Sequence, residues 1–275
     1  MKSSKTKSLG QHFLRDRSVL RKILGVISPE AEDFIIEIGA GKGVLTIPLA
    51  LGAGGVIALE KDKALIPGLR SKNLDNLTIL DADVLDIRFG DLFQDQKGQG
   101  KKIKIVGNLP YVISAPILLK VLEEKEVIEK CVFLLQKEVA QRISARPGTK
   151  SYAPLSIRLQ IYFSVELCFS VKPTAFTPPP RVQSALVRLE KRKEPLFPIK
   201  NEESFSLFLK TAFRHRRKTL INNLVMAGYD RERLERICQG IGIPKNFRPE
   251  QISIPQFVEL FASLPERGQA PDQGD

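Results

Sequence analysis

The sequence predicts an α/β fold with a parallel sheet, followed by a smaller, all-helical C-terminal domain. As far as about residue 143, short apolar runs alternate with segments of helical spacing, the pattern of parallel strands joined by helices. From residue 202 to 264 only the helical spacing remains, as in Phe205 and Phe208. The charged segment 191–198 contains two prolines and separates the two patterns, so we place a domain boundary there.

The elements of the first domain follow from its apolar spacing. Residues 18–27 have amphipathic helical spacing and are followed by Pro29, which ends a helix. Short apolar runs predict strands at residues 33–38, 55–59, 77–80, 103–106 and 132–135. Helical spacing predicts helices at residues 44–51, 62–72, 115–122 and 137–143. Pro67 and Gly68 weaken or bend the second of these helices. Residues 156–169 and 182–189 are β-rich and favour a hairpin at the sheet edge.

The formal net charge of +12 is concentrated in two clusters. Residues 1–22 hold seven basic residues against the single acid Asp16, and residues 210–218 hold five basic residues and no acid. A solvated surface is the simple interpretation of either cluster alone. Two clusters in one chain favour a polyanionic partner, and nucleic acid is the first candidate. The candidate phosphate contacts, on an expected basic helix, are Arg214, Arg216, Arg217 and Lys218.

Several classes of protein are disfavoured by the composition. No apolar run reaches the roughly 18 residues of a membrane span, and the basic, polar N-terminus does not have the pattern of a secretory signal. The three cysteines are isolated and form no metal-spaced pair, which predicts buried thiols in a reducing cytoplasm. We expect a cytoplasmic protein without a metal centre, and nothing in the sequence requires more than a monomer.

A glycine-rich turn after the strand 33–38 predicts a cradle for a nucleotide-like ligand. Gly39, Gly41 and Gly43 alternate with other residues, which differs from the dinucleotide fingerprint and from a phosphate-binding loop. Glu60 ends the second strand, where it can accept both ribose hydroxyls, and Asp83 follows the third strand, where it can accept from an adenine amine. An acidic pocket mouth suits a cationic cofactor better than a pyrophosphate.

The most informative segment is Asn108-Leu109-Pro110-Tyr111, which follows the strand 103–106. It offers a side-chain amide oxygen, backbone carbonyls and a flat ring at one place. Two acceptors can hold the hydrogens of a planar amine while the ring stacks on its base. An ordinary strand-to-helix turn is the competing interpretation, because Asn and Pro are common in turns.

Further motifs occur in the order of a known family. They are Gly10-Gln11-His12-Phe13-Leu14, Glu37 to Thr46, Asn108 to Tyr111, Leu135 to Val139, Phe176 to Ser184, and Ala212-Phe213 followed by Arg216-Arg217-Lys218-Thr219. Over residues 7–264 the chain resembles the KsgA/Dim1-type ribosomal RNA adenine dimethyltransferases. The resemblance implies a Rossmann-like, S-adenosylmethionine-dependent methyltransferase domain and a helical RNA-binding domain. The reaction it implies is dimethylation of the N6 amines of two adjacent adenosines near the 3′ end of small-subunit (16S) rRNA.

The residue pattern and the resemblance together give a domain plan. The plan has a basic arm at residues 1–17, the methyltransferase domain at 18–190, the RNA-binding domain at 198–265 and a disordered tail at 266–275. The resemblance also implies a partner, which would be an immature small (30S) ribosomal subunit, with a role in subunit biogenesis.

Family site residues carry over onto matching positions of this chain. The implied cofactor contacts are His12, Leu14, Gly39, Glu60, Asp83 and Asn108. The implied walls of the target-base site are Leu109, Pro110 and Tyr111, and Phe176 would close the base from its other side. The position of His12 is often Asn in relatives, so a contact through its backbone survives the change while a side-chain contact is in question.

Two other functions remain open at this point. The related Erm-type enzymes methylate large-subunit rRNA and share most of the catalytic motifs; the Asn-Leu-Pro-Tyr form, the Arg-Arg-Lys-Thr segment and the long helical C-terminal region favour the small-subunit enzyme. A non-catalytic RNA-binding assembly factor is the second alternative. Intact Gly39, Glu60, Asp83 and Asn108 argue against loss of catalysis.

Overall fold

The computed structural model describes residues 11–92 and 103–264 and divides the chain into two compact units. The first unit comprises Met1–Ser144 with Tyr162–Lys193, and the second comprises Ala145–Ile161 with Glu194–Asp275. Residues 145–161 therefore group with the C-terminal helices, although the sequence places them in the methyltransferase domain. Most of the predicted basic arm (residues 1–10) and the predicted tail (266–275) lie outside the described residues.

A seven-stranded sheet forms the centre of the first unit. Its strands are β2 (Phe34–Ile38), β3 (Gly55–Glu60), β4 (Leu77–Asp81), β5 (Ile103–Asn108), β6 (Ile128–Gln136), β7 (Phe163–Val171) and β9 (Ser184–Lys191). Their order across the sheet is β4-β3-β2-β5-β6-β9-β7. The first five are parallel, and β9 pairs antiparallel with both β6 and β7. A separate two-stranded sheet pairs β1 (Phe13–Leu14) with β8 (Phe176–Thr177).

The helices of the first unit are α1 (Arg17–Ile27), α2 (Thr46–Gly52), α3 (Ile66–Arg70), α4 (Ser114–Glu123) and α5 (Lys137–Ile143). The predicted helix 62–72 is shorter in the structure, because Pro67 lies in the first turn of α3, where a missing backbone N–H costs nothing. The predicted antiparallel pair at the sheet edge is confirmed, with β7 as the edge strand.

The strand order reverses between β2 and β5, and the carboxyl ends of these two strands meet there. In sheets of this type the crevice at such a reversal binds ligands. Gly107 lets the strands approach closely, because a Cβ at this position would lie 2.6 Å from the Ile38 carbonyl oxygen. The glycine turn after β2 and the Asn108 loop after β5 thus lie side by side.

The strand predicted at residues 156–169 is wrong in its first half. Residues Pro154–Tyr162 form helix α6, and only Phe163–Val171 form a strand. The apolar residues Ile157, Leu159 and Ile161 alternate with period two, which is the strand signal. All three are fully buried, as is Ser156 immediately before them. A helix buried on most of its surface does not show a helical period, so spacing could not identify it.

The second unit is helical, as predicted for residues 202–264. Besides α6 it contains α7 (Glu202–Ala212), α8 (Leu220–Val225), α9 (Arg231–Gly240) and α10 (Ile254–Ser263). The ring of Phe208 packs against Phe205, Phe257 and Phe261, with centroid distances of 5.5–6.3 Å. Helix α10 begins with a capping box in which Ser253 and Gln256 satisfy each other's backbone N–H groups.

Within the residues that the structure describes, no helix combines the length and apolar character needed to cross a bilayer. Of the three cysteines, Cys131 and Cys238 are buried and Cys168 is half-buried.

Candidate active site

A cavity of about 460 Å³ opens at the carboxyl ends of the parallel strands in the first unit. Its walls come from the segment before α1, the turns after β2 to β4, and the loop after β5. The lining residues are Gln11, His12, Phe13, Ile38, Gly39, Gly41, Leu59, Glu60, Lys61, Ala82, Asp83, Val84, Asn108, Leu109, Pro110, Tyr111, Val112 and Ile113. Most of the residues predicted from the sequence therefore meet at one cavity.

The glycine turn after β2 requires glycine at Gly41 for two reasons. The φ angle of Gly41 is +58°, a conformation that residues with a Cβ rarely adopt. A Cβ there would also lie 3.3 Å from the ring of Phe13, which lines the cavity from β1. The turn is tied to the next strand, since Gly39 N and Ala40 N both donate to the Leu59 carbonyl oxygen. The main chain of the turn thus forms a close, rigid wall.

Backbone N–H groups from two segments hold the Glu60 carboxylate in one orientation. Its Oε2 accepts from Gly41 N at 2.7 Å and its Oε1 accepts from Asp62 N at 2.8 Å. The residue is only 4% exposed. Each carboxylate oxygen keeps a further lone pair, so a ligand hydroxyl can bind without any rearrangement of the side chain.

Asp83 is an ionised carboxylate on the neighbouring wall. Its Oδ1 accepts from Leu85 N at 3.0 Å and its Oδ2 accepts from Lys61 Nζ at 2.6 Å. The hydrogen bond from Lys61 is the main reason that the pKa of Asp83 lies below its ordinary value, and the Leu85 N–H adds to the effect. Lys61 partly neutralises the acidic mouth that the sequence predicts. Sequence reasoning missed it, although it directly follows Glu60.

The Asn108 amide is oriented by the N-terminal segment. Its Nδ2 donates to the His12 carbonyl oxygen at 2.8 Å. A carbonyl can only accept, so the amide nitrogen must face His12. The Oδ1 atom, at the other end of the planar amide, therefore points away from the His12 carbonyl. In the same loop, the Pro110 carbonyl oxygen accepts from Ile113 N at 3.1 Å and from Ser114 Oγ at 3.3 Å. Those contacts turn the Pro110 carbonyl towards α4.

Tyr111 begins a short 3-10 helix, Tyr111–Ile113, immediately after the Asn108 loop. Its hydroxyl shares a hydrogen bond of 2.9 Å with Ser184 Oγ on β9, and its ring centroid lies 5.7 Å from that of His12. Partial burial raises the pKa of the Tyr111 phenol, against a smaller opposing effect of Ser184. The ring is therefore a neutral, anchored surface at the cavity wall.

Two predicted site residues do not line the cavity. Leu14 is 5% exposed and Phe176 is 2% exposed, and they face each other across the β1–β8 pair. Both belong to the hydrophobic core of the first unit. Successive side chains of a strand point to opposite faces, so Phe13 faces the cavity while Leu14 faces the core. Phe176 therefore has the place of a core anchor in this structure.

Sequence reasoning also missed several residues that line the cavity. Ile38 and Leu59 are the residues immediately before Gly39 and Glu60, and their position at strand ends was a usable signal. Val112 lines the cavity although it is 88% exposed, which its sequence context did not reveal.

A third carboxylate, Glu37, lies on β2 just before the glycine turn. It is 1% exposed, and its Oε2 has no hydrogen-bond partner among the residues that the structure describes. Burial raises the pKa of Glu37 to about 7, with a smaller raising effect from Glu60 and an opposing one from the Thr46 hydroxyl. Within the described ranges, no three His, Cys, Asp or Glu side chains come together as metal ligands would.

The predicted basic segment of the second unit is a turn and not a helix. Residues 213–219, here called the basic turn, join α7 to α8. Asn223 holds the turn closed: its Oδ1 accepts from His215 N at 2.8 Å and its Nδ2 donates to the His215 carbonyl at 3.1 Å. Thr219 then caps α8 through its hydroxyl. Four basic side chains of the turn are exposed: Arg214, Arg216, Arg217 and Lys218.

The fold and the cavity define an α/β methyltransferase, with a glycine turn after β2, acids after β3 and β4, and Asn-Leu-Pro-Tyr after β5. The profile of the family "Ribosomal RNA adenine dimethylase" matches residues 2–266. The chain belongs to the ribosomal RNA adenine dimethylase family.

Individual proteins agree with this assignment. The chain is 42% identical to "Ribosomal RNA small subunit methyltransferase A" from Bacillus cytotoxicus, over 94% of this chain and 90% of that protein. Among solved structures, it is similar to the 23S rRNA methyltransferase ErmE, with a TM-score of 0.72, 26% identity and coverage of 92% of this chain and 99% of that one. It also shares the fold of a dimethyladenosine transferase from Plasmodium falciparum, with a TM-score of 0.74, 23% identity and coverage of 90% and 96%.

Proposed function

We propose that this protein uses S-adenosylmethionine to dimethylate the N6 amines of two adjacent adenosines near the 3′ end of small-subunit (16S) rRNA. The observation that carries the proposal is the oriented Asn108 amide, which stands between an acidic, glycine-lined wall and an anchored aromatic ring. The 42% identity to a small-subunit methyltransferase supports the choice of RNA.

The residues of the acidic wall fit this cofactor. Glu60 presents two fixed acceptors, which suits the paired hydroxyls of a ribose, and Asp83 adds a second carboxylate that stays ionised. The turn at Gly39 and Gly41 admits close approach of a ligand to the main chain. Two carboxylates also suit a cofactor with a positive sulfonium better than one with a pyrophosphate. When bound, S-adenosylmethionine supplies an electrophilic methyl group on that sulfur.

Asn108 and Leu109 act on the reacting amine. The adenine N6 lone pair is delocalised into the ring, so the free amine is a weak nucleophile. The Asn108 Oδ1 and the Leu109 carbonyl oxygen accept its two hydrogens, which favours a pyramidal nitrogen and stabilises the positive charge that develops on it. Preorganised groups of this kind contribute about 10²–10³-fold in rate. The methylated amine is acidic and loses its proton to water, so a neutral Asn suffices and no strong base is needed.

Tyr111 receives the target base after it leaves its stack. Base extrusion costs a few kcal/mol, and stacking on an aromatic ring returns about 1–3 kcal/mol per base. The hydrogen bond to Ser184 fixes the ring on the β9 side before the base arrives. Pro110 extends this wall. Phe176 supports the site indirectly, since it anchors β1 through its pairing with Leu14.

The basic turn of the second unit provides phosphate contacts. Arg214, Arg217 and Lys218 are exposed, and no acidic residue lies between positions 210 and 220. Such contacts raise affinity without reading sequence and make binding salt-dependent. The substrate we infer is a partly assembled small subunit in the cytoplasm, which links the reaction to subunit biogenesis.

Transfer of radiolabelled methyl groups tests the proposal. Small subunits that lack this modification are compared with large-subunit RNA, and the labelled nucleosides are identified after digestion. We expect label in dimethyladenosine of the small subunit alone. Label in large-subunit RNA would instead assign an Erm-type activity, and RNA binding without label would assign a non-catalytic assembly factor.

A further inference from the structure

His12 contacts three separate parts of the first unit. Its imidazole Nδ1 bonds the Pro178 carbonyl oxygen at 2.8 Å, and its own carbonyl oxygen accepts from Asn108 Nδ2 at 2.8 Å. Its ring also lies against Tyr111, tilted by 34°. Because the Pro178 carbonyl can only accept, Nδ1 must carry the proton in this contact. One residue therefore connects the segment before α1, the segment after β8 and the loop that ends β5.

The two hydrogen bonds of His12 act in series. The side chain fixes residue 12 to Pro178, and the main chain of the same residue fixes the Asn108 amide. The neighbouring support lies on the C-terminal side of His12: β1 pairs with β8 over Phe13 and Leu14, and Arg15 N and Asp16 N both donate to the Ala175 carbonyl oxygen. His12 directly precedes this pair, and the bond from its Nδ1 to the Pro178 carbonyl oxygen fixes its side chain to the segment that follows β8.

An incorrectly placed His12 carbonyl changes the catalytic amide directly. Asn108 Nδ2 and Oδ1 are the two ends of one planar group, so rotation of the nitrogen moves the oxygen that is to accept from the substrate amine. A misplacement of about 1 Å in a reacting geometry can reduce the rate by about 10²-fold. The ring of His12 therefore affects chemistry without touching the reacting atoms.

We propose that the His12 imidazole is a positioning residue: its bond to Pro178 holds the His12 carbonyl where it orients the Asn108 amide. The inference rests on the proposed role of Asn108. It assigns the side chain of residue 12 to the methyl-transfer step and not to the affinity for the cofactor.

Two substitutions of His12 separate this role from others. In His12→Asn, the amide nitrogen is attached to Cγ, as Nδ1 is in histidine, so it can donate to the Pro178 carbonyl. In His12→Ala this donor is lost while the main-chain carbonyl remains. We expect His12→Ala to lower the single-turnover rate at saturating substrates by about tenfold or more. We expect His12→Asn to retain the rate within about threefold, and both variants to bind S-adenosylmethionine with nearly unchanged Kd in calorimetry.

A stability control and a direct readout complete the experiment. Asp16→Ala removes the cap of α1, whose Oδ1 accepts from Ser18 N at 2.8 Å, and should lower the melting temperature without lowering the rate. Selective ¹⁵N-asparagine labelling follows the Asn108 side-chain amide, assigned by its loss in Asn108→Ala. Its resonances should move in His12→Ala and return towards the wild-type position in His12→Asn.

Three outcomes would overturn the inference: an unchanged rate in His12→Ala, a defect confined to cofactor Kd, or a His12→Asn variant as slow as His12→Ala. If Asp16→Ala lost as much rate as His12→Ala, the effect of His12 would be one of general stability and not of positioning. Full activity in Asn108→Ala would show that Asn108 itself has no role in the reaction. That result differs from a failure of the His12 inference, in which Asn108→Ala is inactive but His12→Ala is not.

Discussion

The cavity of the first unit and the basic turn of the second unit present their polar groups in opposite ways. In the cavity, Glu60 and Asn108 are each held by backbone partners in one orientation. In the basic turn, the backbone is held by Asn223 while side chains such as Arg217 extend into solvent. Chemistry on one atom needs fixed geometry, whereas phosphate attraction depends mainly on charge. Substitutions should therefore have large, specific effects in the cavity and small, graded effects in the turn.

The largest effect is expected for Asn108→Ala. The acceptor for the substrate amine is lost, so the single-turnover rate should fall by at least about 10²-fold. Binding to small subunits, measured by filter retention, should stay within about threefold of wild type. An Asn108→Ala enzyme that turns over normally would show that the fixed amide is not part of the chemistry.

The next largest effect is expected on stability, in the pH dependence of the unfolding free energy that Glu37 causes. Its pKa is about 7 in the folded protein against an ordinary value of 4.5, so the folded state binds the proton more tightly than the unfolded state. The stability contribution of the protonated carboxyl is complete below pH 4.5 and is lost as the pH rises to about 7. Relative to Glu37→Gln, wild type should lose about 3 kcal/mol of unfolding free energy across this window.

Urea unfolding at several pH values measures this difference. If wild type and Glu37→Gln keep a constant difference from pH 4.5 to 7, the buried carboxyl does not titrate as described. A difference that changes as described would show that a buried carboxyl next to the glycine turn costs stability at neutral pH.

Substitutions of Tyr111 should have intermediate effects on the reaction, and two variants separate the contribution of its ring from that of its hydroxyl. Tyr111→Ala removes the stacking face and should lower kcat/KM by about 10–100-fold, equivalent to about 1–3 kcal/mol. Tyr111→Phe keeps the face and loses only the bond to Ser184, worth about 0.5–1.5 kcal/mol. Steady-state kinetics with parallel calorimetry for the cofactor separate these effects. Equal losses of both variants would mean that the hydroxyl, and not the face, is important.

The smallest individual effect is expected in the basic turn. Arg217→Ala should weaken subunit binding modestly and reduce the slope of log K against log salt by about one, with the rate at saturation unchanged. Arg216 is less suitable for this test, because it also donates to the Lys150 carbonyl and supports a neighbouring loop. An unaltered salt slope in Arg217→Ala would exclude this residue as a phosphate contact.

Local patterns were enough to predict the first unit and most of its cavity. The strands β2 to β5 appear as short apolar runs, and Gly39, Glu60, Asp83 and Asn108 lie at their carboxyl ends or within two residues of them. Parallel strands bring their carboxyl ends to one edge, so the proximity of these residues follows from their order in the chain. Helix α6 was missed because its residues are buried or half-buried on every side, which removes the periodicity on which sequence reasoning depends.

The alternation of strands and helices, the family and the residues at the strand ends are all encoded in contiguous residues, so they could be predicted from the chain alone. The neighbours of those residues depend on the folded structure. It placed Phe13 on the cavity and Leu14 in the core, buried Phe176 and joined His12 to both Pro178 and Asn108. These contacts link residues as far as 166 positions apart, and no local pattern encodes such a separation. They arise only when the sheet and the β1–β8 pair bring distant segments together.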